Sequence, residues 1–235
     1  MQEFAVEFAQ AFNLILSGDT DLWAVVGLSL QVSISAVIFA SLMGLPLGAA
    51  LAVGKFPGRQ VIIVFVNALM GMPPVVVGLV VYLLLSNAGP LGVLGLLYSP
   101  TAMIIAQTIL VTPVIAALCR QSIASLFDEQ RDQLSSLGLS SAQMVPVLLW
   151  EGRYALLTAG LAGFGRAIAE VGAVMIVGGN INHVTRVMTT AIALETSKGN
   201  LSLALALGVI LVLMALGVNA VVGIIGSRRQ EAMHV

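Results

Sequence analysis

The chain has 235 residues, 59% of them hydrophobic and only 9% charged, with a mean hydropathy of +1.05. Soluble domains carry about 25% charged residues, so this composition specifies an integral membrane protein and excludes an ordinary soluble enzyme. A net charge of −1 gives no case for nucleic acid, and the single Cys119 excludes an intramolecular disulfide or a multi-cysteine metal site.

Taken in chain order, the opening "MQEFAVEFAQAFNLILSGDTD" holds neither Lys nor Arg and no long apolar core. It does not read as a cleaved signal peptide, and it is expected to stay on the mature protein. Phe4, Phe8, Phe12 and Ile15 recur at helical spacing opposite Glu3, Glu7 and Gln10. Residues 1–21 therefore predict a short amphipathic helix on the outer membrane surface, the alternative being a frayed end.

Five runs reach the roughly 20 apolar residues that a spanning helix needs: 22–53, 61–85, 101–126, 154–177 and 201–225. The first overshoots the bilayer, and "MGLPLG" at 43–48 is expected to bend or fray its inner end. Pro73 and Pro74 lie inside the second run and Pro113 inside the third, each predicting a kink. Such breaks persist where the freed polar groups find protein or water, and their number here points to a cavity between moving helices. The fold class is thus an all-α membrane protein with five transmembrane helices.

Basic residues orient the spans. With the N-terminus outside, the inner side receives Lys55, Arg59, Arg120, Arg131, Arg153, Arg228 and Arg229, and the outer side only Arg186 and Lys198. The membrane-spanning domain then covers 22–226, and 227–235 ("RRQEAMHV" with the preceding Ser) forms a short cytoplasmic tail.

The sizeable inward segment, "RQSIASLFDEQRDQLSSLGLSSAQMVPVLLWEGR", is largely polar and helix-compatible. Gly138 separates two short helical patterns, and Ser140 or Ser141 is a plausible N-cap for the second. Helix connections in bundles usually take about 2–8 residues, so the part at 127–153 reads as a stiff helix–turn–helix presented to a cytoplasmic partner.

This segment resembles the EAA loop of type I ABC importer permeases. The pattern there is Glu-Ala-Ala, three residues, Gly, nine residues, then Ile-x-Leu-Pro. Here Gly138 fits behind Leu137, Asp132 takes the Glu position and Leu148 the Ile position. Gln133 and Leu134 replace the alanines, and Trp150 and Glu151 replace Leu-Pro. "SLQVSISAVIFASLMGLPLGAALA", "MPPVVVGLVVYLLLSNAGPLG" and "FGRAIAEVGAVMIVGGNI" look like the corresponding stretches of permeases for molybdate-type oxyanions. "LLWEGR" and "TRVMTTAIALETSKGN" look like the tungstate branch.

The resemblance implies a membrane subunit that works as two copies with two cytoplasmic ATPase subunits and an extracytoplasmic oxyanion-binding protein, in a bacterial or archaeal inner membrane. ATP and Mg2+ would belong to the ATPase partner, with no cofactor in this chain, which lacks a G-x-x-x-x-G-K-[ST] phosphate loop. The ATPase-coupling residues would be Asp132, Leu137, Gly138, Gln143 and Leu148.

"GRAIAEVGA" at 165–173 places Arg166 and Glu170 in an otherwise apolar span, where a charge costs roughly 2.5–3.5 kcal/mol. Read as one helix they are i, i+4 neighbours in the less favourable order, Arg before Glu. Three readings stand open: a structural or gating network, contact of Arg166 with the passing anion, or a charge in a wet crevice. Pro73 and Pro74 join this pathway set. Gly163, Gly165 and Gly172 leave room for another backbone. The outer stretch 178–200 offers Thr185, Arg186, Thr189 and Thr190, near either the oxyanion or its binding protein, with a short helix expected over 187–195.

Enzymatic alternatives lack their groups. The histidines are His183 and His234, and neither H-E-x-x-H nor G-x-S-x-G occurs. Cys119 beside Arg120 reads as a structural thiol rather than a reactive one. An ATP-independent anion channel or secondary transporter is the alternative of a different class, and a molybdate or sulfate permease the nearest rival within the same one.

Overall fold

The computed structural model describes residues 2–233, and their side chains except at 2–5, 141–142 and 224–233. Expectations resting on the side chains of Glu3, Phe4, Ser141, Arg228 and Arg229, and on His234, lie outside the described residues. Among the described residues the structure is helical, without strands. The helices are α1 (Gln2–Leu16), α2 (Thr20–Val53), α3 (Arg59–Met70), α4 (Pro74–Leu85), α5 (Pro100–Ser136), α6 (Ser141–Glu151), α7 (Arg153–Ile168), α8 (Gly172–Gly178), α9 (Met188–Lys198) and α10 (Leu201–Met233), with one 3-10 turn at Gly92–Leu94.

Three helices, α2, α5 and α10, are each long and apolar enough to cross a membrane. Two further spans are broken, α3 from α4 and α7 from α8, so length and composition give three to five crossings. The chain folds as two compact units. One comprises Met1–Ala36, Pro73–Gln107 and Ala167–Val218, the other Val37–Met72, Thr108–Arg166 and Asn219–Val235.

Two prolines leave their helices continuous. α2 does not fray at "MGLPLG"; it continues through Pro46 to Val53 over 34 residues, about 51 Å at 1.5 Å per residue. Gly44 and Gly48 explain this, because they press α2 onto α5. A Cβ at position 48 would lie 2.5 Å from the Ala116 carbonyl and 2.7 Å from Cys119 Cβ. The Cys119 thiol donates to the Leu45 carbonyl at 3.3 Å, a structural role beside Pro46. Likewise α5 runs unbroken past Pro113. Position 44 faces the Thr112 carbonyl at 3.0 Å, and position 163 of α7 faces Val111 and Ile115 at 3.0 Å. Close packing from both neighbours holds the helix where proline has removed a donor.

Pro73 and Pro74, by contrast, do more than kink. The helix stops at Met70 and restarts with Pro74 at the first helical position, where the missing N–H costs nothing and φ is already helical. Arg59, counted above as an inner cation, closes the end of α2. Its Nε donates to the Leu51 carbonyl at 2.7 Å and Nη2 to the Ala52 carbonyl at 3.2 Å, satisfying acceptors that a helix end leaves open.

The first half of the inward segment is not a separate helix, because α5 carries on to Ser136. The turn follows at Gly138, whose φ of +75° suits glycine. α6 then folds back onto α5 through Met144 and Leu148, which join Val53, Cys119, Ile123, Leu126, Leu134 and Leu156 in the core of the second unit.

Candidate functional site

The first unit is organised around the place where a span stops being a helix. α7 ends at Ile168, residues 169–171 are non-helical, and α8 begins at Gly172. Arg166 and Glu170 are therefore not i, i+4 neighbours on a helical face, which corrects the sequence reading. Arg166, half-buried, sits in the last turn of α7. Glu170, 4% exposed, lies beyond that end and just before α8. The unfavourable order of charges in one helix becomes the favourable order for two: a cation where α7's carbonyls terminate and a carboxylate where α8's N–H groups begin.

Polar groups freed by the break are met by specific partners. The Glu170 N–H donates back to the Ala167 carbonyl at 3.2 Å. Ala167 also accepts from Gln107 Nε2 of α5 at 3.1 Å. The Glu170 carbonyl accepts from Thr189 Oγ1 of α9 at 2.8 Å. Its carboxylate Oε1 accepts the Ala173 N–H at 3.2 Å, capping α8. A proton donor is required toward a carbonyl, so the Gln107 amide orientation is fixed. That leaves Gln107 Oε1, in a residue 3% exposed, without a partner among the described residues.

Small residues let the flanking helices close on α8. A Cβ at Gly78 of α4 would lie 2.8 Å from Ala173 Cα, and one at Gly172 would lie 2.8 Å from Val75 Cγ2. A Cβ at Gly178 would meet Met103 Sδ of α5 at 2.9 Å. Beyond α8, the Tyr98 ring covers Gly179 and stands 6.4 Å from the Tyr82 ring. A hydrogen bond with Tyr82 raises the Tyr98 phenol above its ordinary value.

Thr185, Thr189 and Thr190 are all buried, and their hydroxyls serve the protein. Thr185 Oγ1 donates to the Gly178 carbonyl and accepts the Ile181 N–H. Thr190 Oγ1 donates to the Val187 carbonyl at 3.0 Å and accepts the Val187 N–H at 3.2 Å. Arg186 donates from Nη1 to Asn182 Oδ1 at 2.8 Å, while its Nε lies buried without a partner. The helix expected over 187–195 is α9, Met188–Lys198. Its first N–H, at Met188, donates 2.7 Å to Ser29 Oγ of α2. Its far end is closed by Glu195, which accepts from Lys198 Nζ at 2.8 Å and Asn200 Nδ2 at 3.0 Å. The Lys198 hydrogen bond holds the Glu195 carboxyl below its usual range.

In the second unit the turn between α5 and α6 is a distinct surface. Leu137 is 70% exposed and Trp150 73% exposed, with Asp132, Gly138 and Gln143 also at the surface. Gln143 Oε1 accepts from the Ser140 N–H at 2.9 Å and from Ser140 Oγ at 2.8 Å, the returning half of a capping box. The Arg153 guanidinium lies 5.0 Å from the Trp150 ring and 4.8 Å from the Tyr154 ring. Leu148 is fully buried, so it fastens α6 from beneath rather than offering a contact, which narrows the expected docking set. Gln107 and Ser29 were not singled out from the sequence. A lone amide in the apolar run "AMIIAQTILV" was the available signal for the first.

The sequence profile of the family described as binding-protein-dependent transport system inner membrane component matches residues 44–231. The chain is 44% identical over 206 residues to a probable anion ABC transporter permease protein of Haloferax volcanii, covering 86% of this chain and 89% of that one. It is 39% identical over 222 residues to the tungstate uptake system permease protein TupB of Peptoclostridium acidaminophilum, covering 94% and 97%. With the TupB of Campylobacter jejuni the identity is 37% over 212 residues, covering 90% and 89%.

Proposed function

The chain belongs to the binding-protein-dependent transport system inner membrane components, and on that premise we propose that it is the permease subunit of an ATP-driven importer that carries tungstate across the cytoplasmic membrane. Two copies work with two cytoplasmic ATPase subunits and an extracytoplasmic binding protein that delivers the oxyanion. ATP and Mg2+ bind to the ATPase, and this chain contributes no hydrolytic site. Five spans, counting each broken pair as one, put the N-terminus outside and the C-terminus in the cytoplasm, as the basic residues dictate.

The observation that carries the transport reading is the broken span itself. A non-helical stretch at membrane depth is tolerated where it is buried in protein or lines a cavity, and half-helix ends at such breaks form solute sites in transporters. Arg166 and Glu170, at the two ends created by the break, make up the gate, with Pro73 and Pro74 breaking the second span. Arg186 and the threonine-held loop around Thr185, Thr189 and Thr190 face the binding protein. Asp132, Leu137, Gly138 and Gln143 dock on the ATPase, and Leu148 anchors them.

Reconstitution of the subunit with its ATPase and binding protein tests this directly. ATP-dependent tungstate uptake is expected, with none from this chain alone; uptake without ATP would establish the channel or secondary-transport alternative. Preference for molybdate or sulfate, read by competition, would reassign the substrate. Substituting a bulky residue at Gly138 costs about 1–2 kcal/mol of backbone strain in an otherwise open space, and should abolish ATPase association. For the gate, Arg166→Lys should retain uptake and Arg166→Gln lose it.

A further inference from the structure

At the break at 169–171, side chains from distant helices donate to carbonyls that a continuous helix would turn toward its own N–H groups. In an uninterrupted helix the Ala167 carbonyl would accept the Val171 N–H and the Glu170 carbonyl the Val174 N–H, by the i to i+4 rule. In the structure Gln107 Nε2 donates to Ala167 and Thr189 Oγ1 to Glu170. Both donors come from helices distant in sequence, α5 and α9, and both are buried. Nothing in the local sequence forces the interruption, since 165–173 contains no proline.

We propose that Gln107 and Thr189 are positioning residues that hold this break open, and that their release lets α7 and α8 rewind into one helix during the transport cycle. Gln107 Oε1 has no partner among the described residues, so the amide is engaged through its donor side. Two arrangements of one segment close in energy are what a moving element requires. This goes beyond the gate assigned to Arg166 and Glu170, and it is tested without reference to the identity of the anion.

The test is hydrogen–deuterium exchange over the peptide 169–175 in the purified full complex, comparing wild type with Gln107→Leu, Thr189→Val and Thr189→Ser. Removing a clamp lets the carbonyl turn back toward the helix axis, so exchange should slow by about five- to tenfold, the factor that one net hydrogen bond represents. Thr189→Ser keeps the donor and should exchange as wild type does. Faster or unchanged exchange in the near-isosteric Thr189→Val would overturn the proposal, whatever the fate of Gln107→Leu. A purely structural role for these side chains predicts that faster exchange. Uptake measured in the same wild-type complex reports separately on the transport reading.

Discussion

α5 and the α7–α8 span differ in a way that proline content alone does not anticipate. α5 contains Pro113 and is continuous from Pro100 to Ser136. The α7–α8 span contains no proline and stops at Ile168. In the second unit the missing donor of Pro113 is tolerated because Gly44 and Gly163 bring neighbouring helices hard against that stretch. In the first unit an intact backbone is interrupted because Gln107, Thr189 and the Glu170 carboxylate supply better-placed partners. A helix in this protein ends where its polar groups are received elsewhere, and packing decides the rest.

The strongest challenge to that contrast is to spoil the packing that keeps a proline-bearing helix whole. Gly48→Leu drives a side chain into the Ala116 carbonyl and Cys119, where the backbone has no room to yield. Overpacking usually costs about 1–3 kcal/mol, and more where main chain is the obstacle. Loss of monodisperse protein on size-exclusion chromatography is expected; a normal yield would mean that α2 and α5 do not depend on this approach.

Glu170→Ala attacks the opposite case. Removing the carboxylate that caps α8 should cost about 0.5–2 kcal/mol, read as a lowered Tm of the complex. Glu170→Gln keeps an acceptor for the Ala173 N–H and should recover most of it. Equal losses in both variants would show that charge, not capping, is what the position supplies.

At the turn between α5 and α6, Ser140→Ala with Gln143→Ala removes the bonds that start α6, for roughly 1 kcal/mol. Faster limited proteolysis between Ser136 and Gln143 is expected, because α6 remains fastened by Met144 and Leu148. Glu195 gives a smaller, pH-dependent effect. Its carboxyl is depressed in the folded protein, so its contribution is complete above the ordinary carboxylate value near about 4.5 and disappears as pH falls through the lower folded one. The acid limb of a Tm–pH profile should shrink in Glu195→Gln, modestly, since Lys198 is half-exposed.

The smallest effect is expected from Pro113→Ala. Pro113 is buried, so the helical N–H regained and the methylenes lost oppose each other, leaving a net change of about 1 kcal/mol or less. A large stabilisation would reveal strain at Pro113 that the surrounding glycines do not relieve.

Long apolar runs made the spanning helices readable from residue types alone, and the Pro73–Pro74 pair marked one break. Gly138 and Ser140 marked the inward turn for equally local reasons: a positive φ that favours glycine, and a hydroxyl before a helix. The break at 169–171 was masked because its causes are distant. Gln107 and Thr189 lie 60 and 19 residues from the carbonyls they serve, and no local pattern announces either. One local clue was present, the order of Arg166 and Glu170, awkward for one helix and natural for the ends of two. In the stretch 178–200 composition announced the hydroxyls but not their partners, which are backbone groups of the protein itself.

The bond from the Met188 N–H to Ser29 Oγ joins residues 159 positions apart. Ser29 also donates to the Val25 carbonyl within its own helix at 2.7 Å, so its hydroxyl is occupied from the moment that α2 forms. During synthesis this first long helix is made early, carrying an acceptor whose donor does not yet exist. α9 receives its starting cap only after most of the chain has emerged. The first N–H of α9 thus finds its acceptor on a helix made 159 residues earlier. Ribosome-bound chains truncated before Met188 should hold α2 in place, while chains extended past Lys198 with Ser29→Ala should fold α9 late.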